Sequence, residues 1–411
     1  MRLPGKFLQG TVLLFLVSLF LPVESSNAIE TKGQWDEAFR SAYPDRDPNL
    51  EDPGNFPAEG FAWHGHYWIR AYVTMADAYG DVKYLEKAVA LIDHMLYHRD
   101  DARSSRGELN VRVAPYGTAP LHYLNHRGEA APGWRKSWNG EIRVDVVSDG
   151  MITQAIMRFV DLVIHSPRFP GYQAKARNYI SKVEETVSAW DDSFAYDRYN
   201  VPGSYWYPTK RGTSLSSTEV PFNQSAVMAA TLLLLDKAKG GVPEYRKKAG
   251  AVLDFWRMKR RSVSGGDCYE WNYYLLHKEY GVEDTGHSHI DMSFLTIAFQ
   301  RGLMTDEEMK RLAATFTKKI YKGNGDVSGY IDGSGSGEGY YAGFDWIDLT
   351  PISPNILDIA AEVYKRHYMK PSWARPFLGW AEILRWNSTT KKKPAIKNEK
   401  RRRRPSVACL P

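Results

Sequence analysis

The 411-residue chain has only two cysteines, Cys268 and Cys409. Two thiols cannot build a disulfide scaffold, so the fold must rest on an apolar core, and 43% hydrophobic residues are enough for one. Long apolar runs are equally scarce. The one such run, Val12 to Leu21 (VLLFLVSLFL), is too short to span a bilayer comfortably. Arg2 and Lys6 precede it and Ser26-Asn27-Ala28 follows, so residues 1–28 read as a secretory signal. The mature chain is then expected to be soluble and exported, either periplasmic or secreted. Neither a G-x-S-x-G elbow nor a Walker sequence occurs. The Gly/Ser-rich stretch Gly329 to Trp346 adjoins no phosphate-binding helix pattern, so no nucleotide site is indicated.

Acidic residues are few only in one place. Residues 391–411 hold five Lys, four Arg and one Glu, more positive charge than the whole chain's net of +6, so the remainder is on balance acidic. The tail KKKPAIKNEKRRRRP is either a solvated disordered extension or a tether to an anionic glycan or membrane surface. Nucleic acid is not expected as a partner of an exported chain.

Aromatics, by contrast, are plentiful, with 13 Trp and 25 Tyr. Each one is core by default, but the same rings line sugar-binding clefts, where apolar sugar faces stack. Lys32 to Tyr43 reads as a short amphipathic helix, followed by a Pro/Asp-rich loop to Pro57. A repeating pattern then begins. Trp63, Tyr67, Ala71, Met75 and Tyr79 recur at helical spacing, Gly80-Asp81 breaks the helix, and Leu85, Ala88, Ile92 and Leu96 form a second one. Further hairpins are predicted over 151–187, 227–256, 290–316 and 356–384, the one over 290–316 with a Thr305/Glu308 capping box. Turns within hairpins are short. Connections between them (100–148, 191–221, 262–287 and 322–353) are long. Hairpins packed in a ring would gather those connections on one face, and long structured loops usually carry function.

The hairpin succession, the segment Ala62 to Asp100, and EWNYY followed by EDTGHSHID (270–291) resemble the (α/α)-toroid, six-hairpin class of carbohydrate-active enzymes, over roughly residues 60–385. The resemblance implies an all-α toroid of five to six hairpins in one domain, residues 29–390, with a substrate cleft on the loop face. It also implies a polysaccharide or oligosaccharide substrate.

Candidate residues cluster where the loops meet the inner helices. His287 and His289 fall in a first helical turn, where the N-terminus favours a neutral imidazole able to act as a base; Asp291 shares the face of His287. The same side chains could equally cap the helix. No cofactor is called for. His-x-His leaves a divalent metal open, although a helix does not aim residues i and i+2 at one ion. Glu270, Trp271, Tyr273 and Tyr274 offer an acid and aromatic contacts, or simply a short strand. Asn223 and Gln224 could hold a carboxylate or hydroxyl, or Asn223 could be an N-cap. Trp63, His64, His66 and Arg70 open the first inner helix as a polar-aromatic patch, and Tyr340 and Trp346 lie in the Gly-rich loop as further substrate contacts.

The leading expectation is a polysaccharide lyase that cleaves a uronic-acid glycan by β-elimination. Asn223, Gln224 or an arginine would neutralise the carboxylate, His287 or His289 would be the base, and Tyr273 or Tyr274 the acid. The alternatives are a six-hairpin glycoside hydrolase with paired carboxylates drawn from Glu219, Glu270, Asp284, Asp291 and Asp345, a sugar epimerase, and a non-catalytic glycan-binding protein.

Overall fold

The computed structural model describes residues 28–43, 56–108, 130–138, 141–208, 215–336 and 345–392. Residues 1–27 of the expected signal segment, Tyr340 and the tail beyond Lys392 lie outside these.

The helices, in chain order, are α1 (Lys32–Ala42), α2 (Pro57–Gly60), α3 (His66–Tyr79), α4 (Val82–Tyr97), α5 (Asp100–Ser105), α6 (Val146–Val163), α7 (Gln173–Ser188), α8 (Phe222–Ala238), α9 (Pro243–Lys259), α10 (Thr285–Gln300), α11 (Asp306–Thr315), α12 (Asn355–His367) and α13 (Ala374–Lys392). A π-helical turn, Phe61–Gly65, joins α2 to α3. The inner members are those whose sequence is apolar or small on every side. In α8 each residue from Ser225 to Asp236 is buried. α6 is buried almost throughout, and α3 likewise. The outer members α4, α7, α9 and α11 bury one stripe each, as a helix with solvent on its far side must.

Packing runs α13–α3–α6–α8–α10 around the ring. The next inner place holds one 3₁₀ turn, Trp346–Leu349, packed on α10, α11 and α12. Arg385 of α13 reaches this turn and donates to Asp348 at 2.6 Å. The last pair joins the two ends of the domain: Trp35 of α1 donates its indole N–H to the carbonyl of Phe377 in α13 at 3.0 Å. This revises the sequence reading in one respect. Residues 356–384 do not form an inner-then-outer hairpin, because α12 buries a single stripe whereas α13 is buried on all sides over Phe377–Leu384.

Local signals account for the turns. Gly80 ends α3 in the left-handed conformation (φ +71), and Asp81 caps α4 by accepting from the Lys83 N–H at 3.1 Å. The Thr305/Glu308 capping box is present in both directions. Asn223 is not the N-cap of α8; that place is taken by Pro221, which leaves Asn223 inside the first turn. The long connections are not bare loops. They carry small antiparallel sheets: β1 (Arg135–Trp138) with β2 (Glu141–Val144), β3 (Phe194–Tyr196) with β4 (Gly203–Pro208) and β5 (Leu215–Glu219), β6 (Arg261–Val263) with β7 (Cys268–Glu270), and β8 (Tyr321–Gly323) with β9 (Asp326–Val327).

Gly379 sits inside α13, where glycine is intrinsically unfavourable. A methyl group there would overlap the phenol ring of Tyr364 on α12. Gly379→Ala is expected to destabilise the domain by about 1–3 kcal/mol through overpacking, read from the midpoint of urea unfolding. An unchanged midpoint would mean that the α12–α13 contact yields.

Candidate active site

A cleft of about 440 Å³ opens at the N-terminal ends of the inner helices. Its walls come from three junctions: Trp63 from the π-turn before α3, Asp284 and His287 from the start of α10, and Arg375 from the start of α13. The fourth wall is the segment around Tyr330, pinned to α10 by the Thr285 N–H donating to the carbonyl of Gly329 at 2.9 Å. α10 and α13 therefore point their partly positive N-termini at the cleft.

Asp284 is the N-cap of α10. One carboxylate oxygen accepts the His287 backbone N–H at 2.8 Å and the other meets His287 Nδ1 at 2.6 Å. The second bond places the imidazole proton on Nδ1. Burial raises the Asp284 pKa, but the bonds and charge of His287 outweigh it and hold the carboxyl below its ordinary value. The neighbouring Glu283 is fully buried, and burial together with the charges of Asp291 and Asp284 pushes its pKa well above the carboxylate range. Glu283, Asp284 and His287 bring oxygen and nitrogen donors within 4.8 Å of one another. Both oxygens of Asp284 are already engaged by His287, so the group reads as a hydrogen-bonded set rather than a metal cage.

The rest of the wall is aromatic and basic. The Arg375 guanidinium lies 4.9 Å from the ring of Tyr67, 5.5 Å from Trp373 and 6.0 Å from Trp63. His64 lies near this group, and partial desolvation first, then the charge of Arg375, lower its pKa. Tyr273 stands against His287 with ring centroids 5.4 Å apart and is within hydrogen-bonding reach of Asn223. Burial, followed by the charge of Glu283, raises the Tyr273 phenol, so it is held as a proton donor and not as a base.

Behind the cleft floor runs a buried polar chain. Arg70 grips Asp345 with two hydrogen bonds, at 3.1 and 2.5 Å. Asp345 also meets His289 Nδ1 at 2.9 Å, and His289 Nε2 meets the Tyr67 hydroxyl at 3.2 Å. Burial lowers the His289 pKa to about 4 against the pull of Asp345, so this imidazole is neutral. Burial would raise Asp345, yet Arg70 and His289 hold it well below the carboxylate range. Burial pushes the Tyr67 hydroxyl up to about 12.

Of the sequence candidates, the structure brings Trp63 and His287 to the cleft, His64 near Arg375 of its wall and Tyr273 against His287; Asn223 is buried, within reach of Tyr273. Several others it places elsewhere. His289 and His66 are buried inside the ring, His66 bonded to Gln154 at 3.1 Å, so neither reaches a substrate. Arg70 is consumed by Asp345. Trp271, Trp346 and Asp291 have no exposed surface; Trp271 donates to Asp291 at 2.8 Å, and Trp346 stacks on Phe316 with no face left for a sugar. Glu270 turns toward Arg261 and Lys319 at the β6–β7 hairpin. Gln224 is half-buried in the first turn of α8, and Tyr274 packs on Tyr280 and His277. Glu219 is buried, accepting from the Leu276 N–H at 2.8 Å. Sequence reasoning missed Glu283, Arg375 and Trp373. Glu283 directly precedes Asp284, and Trp373 and Arg375 flank the start of α13, so position relative to an inner-helix N-terminus was the available signal.

No protein-family model and no curated protein matches the sequence. Solved structures do resemble the chain. A GH76 α-mannanase from Bacteroides thetaiotaomicron is 11% identical, with a TM-score of 0.53 over 89% of this chain and 97% of its own. A cellobiose 2-epimerase from Spirochaeta thermophila is 11% identical, with a TM-score of 0.52 over 88% of this chain and 98% of its own. At this identity the likeness is one of fold: the chain is an (α/α) toroid, as its hairpin pattern predicts.

Proposed function

We propose that the protein is a carbohydrate-active enzyme, a glycoside hydrolase of the six-hairpin class, with Asp284 and Glu283 as its working carboxyls. The observation that carries this is the pair itself. One carboxyl, on the cleft wall, has its pKa lowered by His287, and its buried neighbour has its pKa raised by burial; such a divergence of pKa values marks acid and base roles. In this reading Asp284 attacks the anomeric carbon. Glu283 turns out of the wall to protonate the leaving oxygen, and later takes a proton from water. Trp63 and Arg375 supply the stacking and polar contacts that seat the sugar.

That two toroids of similar form are an α-mannanase and a cellobiose 2-epimerase supports a glycan substrate over a purely structural role. It also makes α-mannan and cellobiose the first compounds to test. New reducing ends from a polysaccharide, with retention at the anomeric carbon seen by NMR, are the expected result. No new reducing ends from any polymer would overturn the reading.

A second reading is favoured by a separate observation. The imidazole of His287, oriented by Asp284 and set beside Tyr273 and Asn223, resembles a base for removing a carbon-bound proton, as β-elimination or epimerisation requires. The ultraviolet band of an unsaturated uronide, or a 2-epimer of an added disaccharide, would establish it in place of hydrolysis.

Trp63→Ala is expected to raise KM roughly 3–10-fold with kcat nearly unchanged, because a stacking contact binds ground and transition states alike. A fall confined to kcat would move Trp63 from binding to chemistry.

A further inference from the structure

Glu283 and Asp291 present an unresolved account of hydrogen bonds. Both side chains are fully buried. Trp271 satisfies one oxygen of Asp291 at 2.8 Å. The other Asp291 oxygen and both oxygens of Glu283 have no donor. Among the described residues neither carboxyl has a Lys, Arg or His ion-pair partner. The titratable groups that face them are Asp284 and His287 from the start of α10 and Tyr273 from the segment after β7; Asp284 and His287 are occupied with each other. Two ionised carboxylates in such a site would repel and leave three acceptors stranded, each costing the desolvation of an unsatisfied polar group. The two side chains are within hydrogen-bonding reach of one another. One proton removes the conflict: it turns one carboxyl into a donor and its neighbour into an acceptor, and lowers the charge from two to one.

We propose that Asp291 is a positioning residue that shares a single proton with Glu283 and so keeps Glu283 loaded as the acid of the cleft wall. Trp271 is the anchor of this arrangement, since its indole N–H fixes which Asp291 oxygen is left to face Glu283. The inference rests on the hydrolase reading for its catalytic consequence but not for the proton itself. The balance is simple. When Glu283 gives its proton to a glycosidic oxygen, the pair is left with two negative charges. That state is unfavourable in the buried site, so Glu283 is driven to take a proton back from the incoming water. Asp291 thereby keeps Glu283 loaded before the first step and drives its reprotonation in the second, without touching substrate.

Asp291→Asn is the test. The asparagine carbonyl can still accept from Trp271, while its amide donates to Glu283 and stabilises the ionised form. The alkaline limb of the kcat/KM profile should move to lower pH by about one unit or more. A merely structural contribution from Asp291 would lower the profile without moving its limbs. Infrared difference spectra of the full-length protein at neutral pH, wild type minus Glu283→Gln, should show the carbonyl stretch of a protonated carboxyl, and Asp291→Asn should lose that band. Glu283→Gln, an uncharged isostere, should unfold at the wild-type temperature. An unmoved limb in an active enzyme overturns the proposal, and so does the absence of the infrared band. One bound divalent ion per chain that is lost in Glu283→Gln overturns it too, because a cation would then do the work assigned to the proton. Should the wild type hydrolyse nothing, the hydrolase reading falls, while the infrared and unfolding measurements still decide whether the proton is shared.

Discussion

Asp284→Asn is expected to lower kcat by at least roughly 10²–10⁴-fold, the range carried by a positioned acid–base or nucleophilic group, while leaving the fold intact. The separation of the two effects follows from what the side chain does. As the N-cap of α10 it accepts the His287 N–H, and asparagine caps a helix as well as aspartate does. As a carboxylate it supplies negative charge to the cleft and holds the proton of His287 on Nδ1, and asparagine does neither. Unchanged thermal unfolding with abolished turnover is therefore the expected signature. For a retaining hydrolase, Asp284→Ala should regain turnover with added azide, giving a glycosyl azide of inverted configuration. Full activity in Asp284→Asn would remove this residue from the chemistry and leave His287 as the strongest remaining cleft group.

Arg70→Met should cost about 3–5 kcal/mol of stability at neutral pH, the range for removing one partner of a buried ion pair. Arg70 and Asp345 are both buried, and Asp345 would be left with only His289 as a donor. The pH dependence discriminates this cause from lost packing. In the wild type Asp345 has a depressed folded pKa, so its contribution is fully present above the unfolded value of about 3.9 and is lost as pH falls through the folded value. In Arg70→Met the same carboxyl is buried without its cation, and its folded pKa is raised. Its penalty then diminishes as pH falls, because the protonated form is tolerated. The stability gap between the two proteins should accordingly narrow on acidification, measured as the difference in urea midpoints across the acid range. A gap that stays constant would assign the loss to the missing side-chain volume. Because Asp345 also orients His289, and His289 meets Tyr67 under the cleft floor, Arg70→Met is expected to lower activity as well.

Much of the ring was legible in the order of residues. Helix starts and stops at Gly80, Asp81, Thr305 and Glu308 are local events, and helical spacing of apolar residues marks the hairpins without reference to anything distant. The contrast between short turns and long connections placed the cleft at the inner-helix N-termini, where Trp63, Asp284, His287 and Arg375 are found. The assignment of inner and outer places was less legible at the C-terminal end. α13 is buried on all sides only because α1, from the opposite end of the chain, and α3 both cover it.

The candidate site divides in the same way. Composition and spacing placed histidines, aromatics and carboxylates near helix starts, because those are properties of short segments. They could not distinguish His287 from His289, two residues apart on one helix. One faces the cleft, and the other lies inside the ring between Asp345 and Tyr67. Nor could they show that Asp345, 275 residues from Arg70, would neutralise it and remove it from substrate binding. The sequence by itself determined an all-helical chain of hairpins with its polar-aromatic residues at one end. Only the tertiary structure decided which of those residues meet solvent. Burial and charge pairing are set by groups far apart in the chain, and no local pattern encodes them.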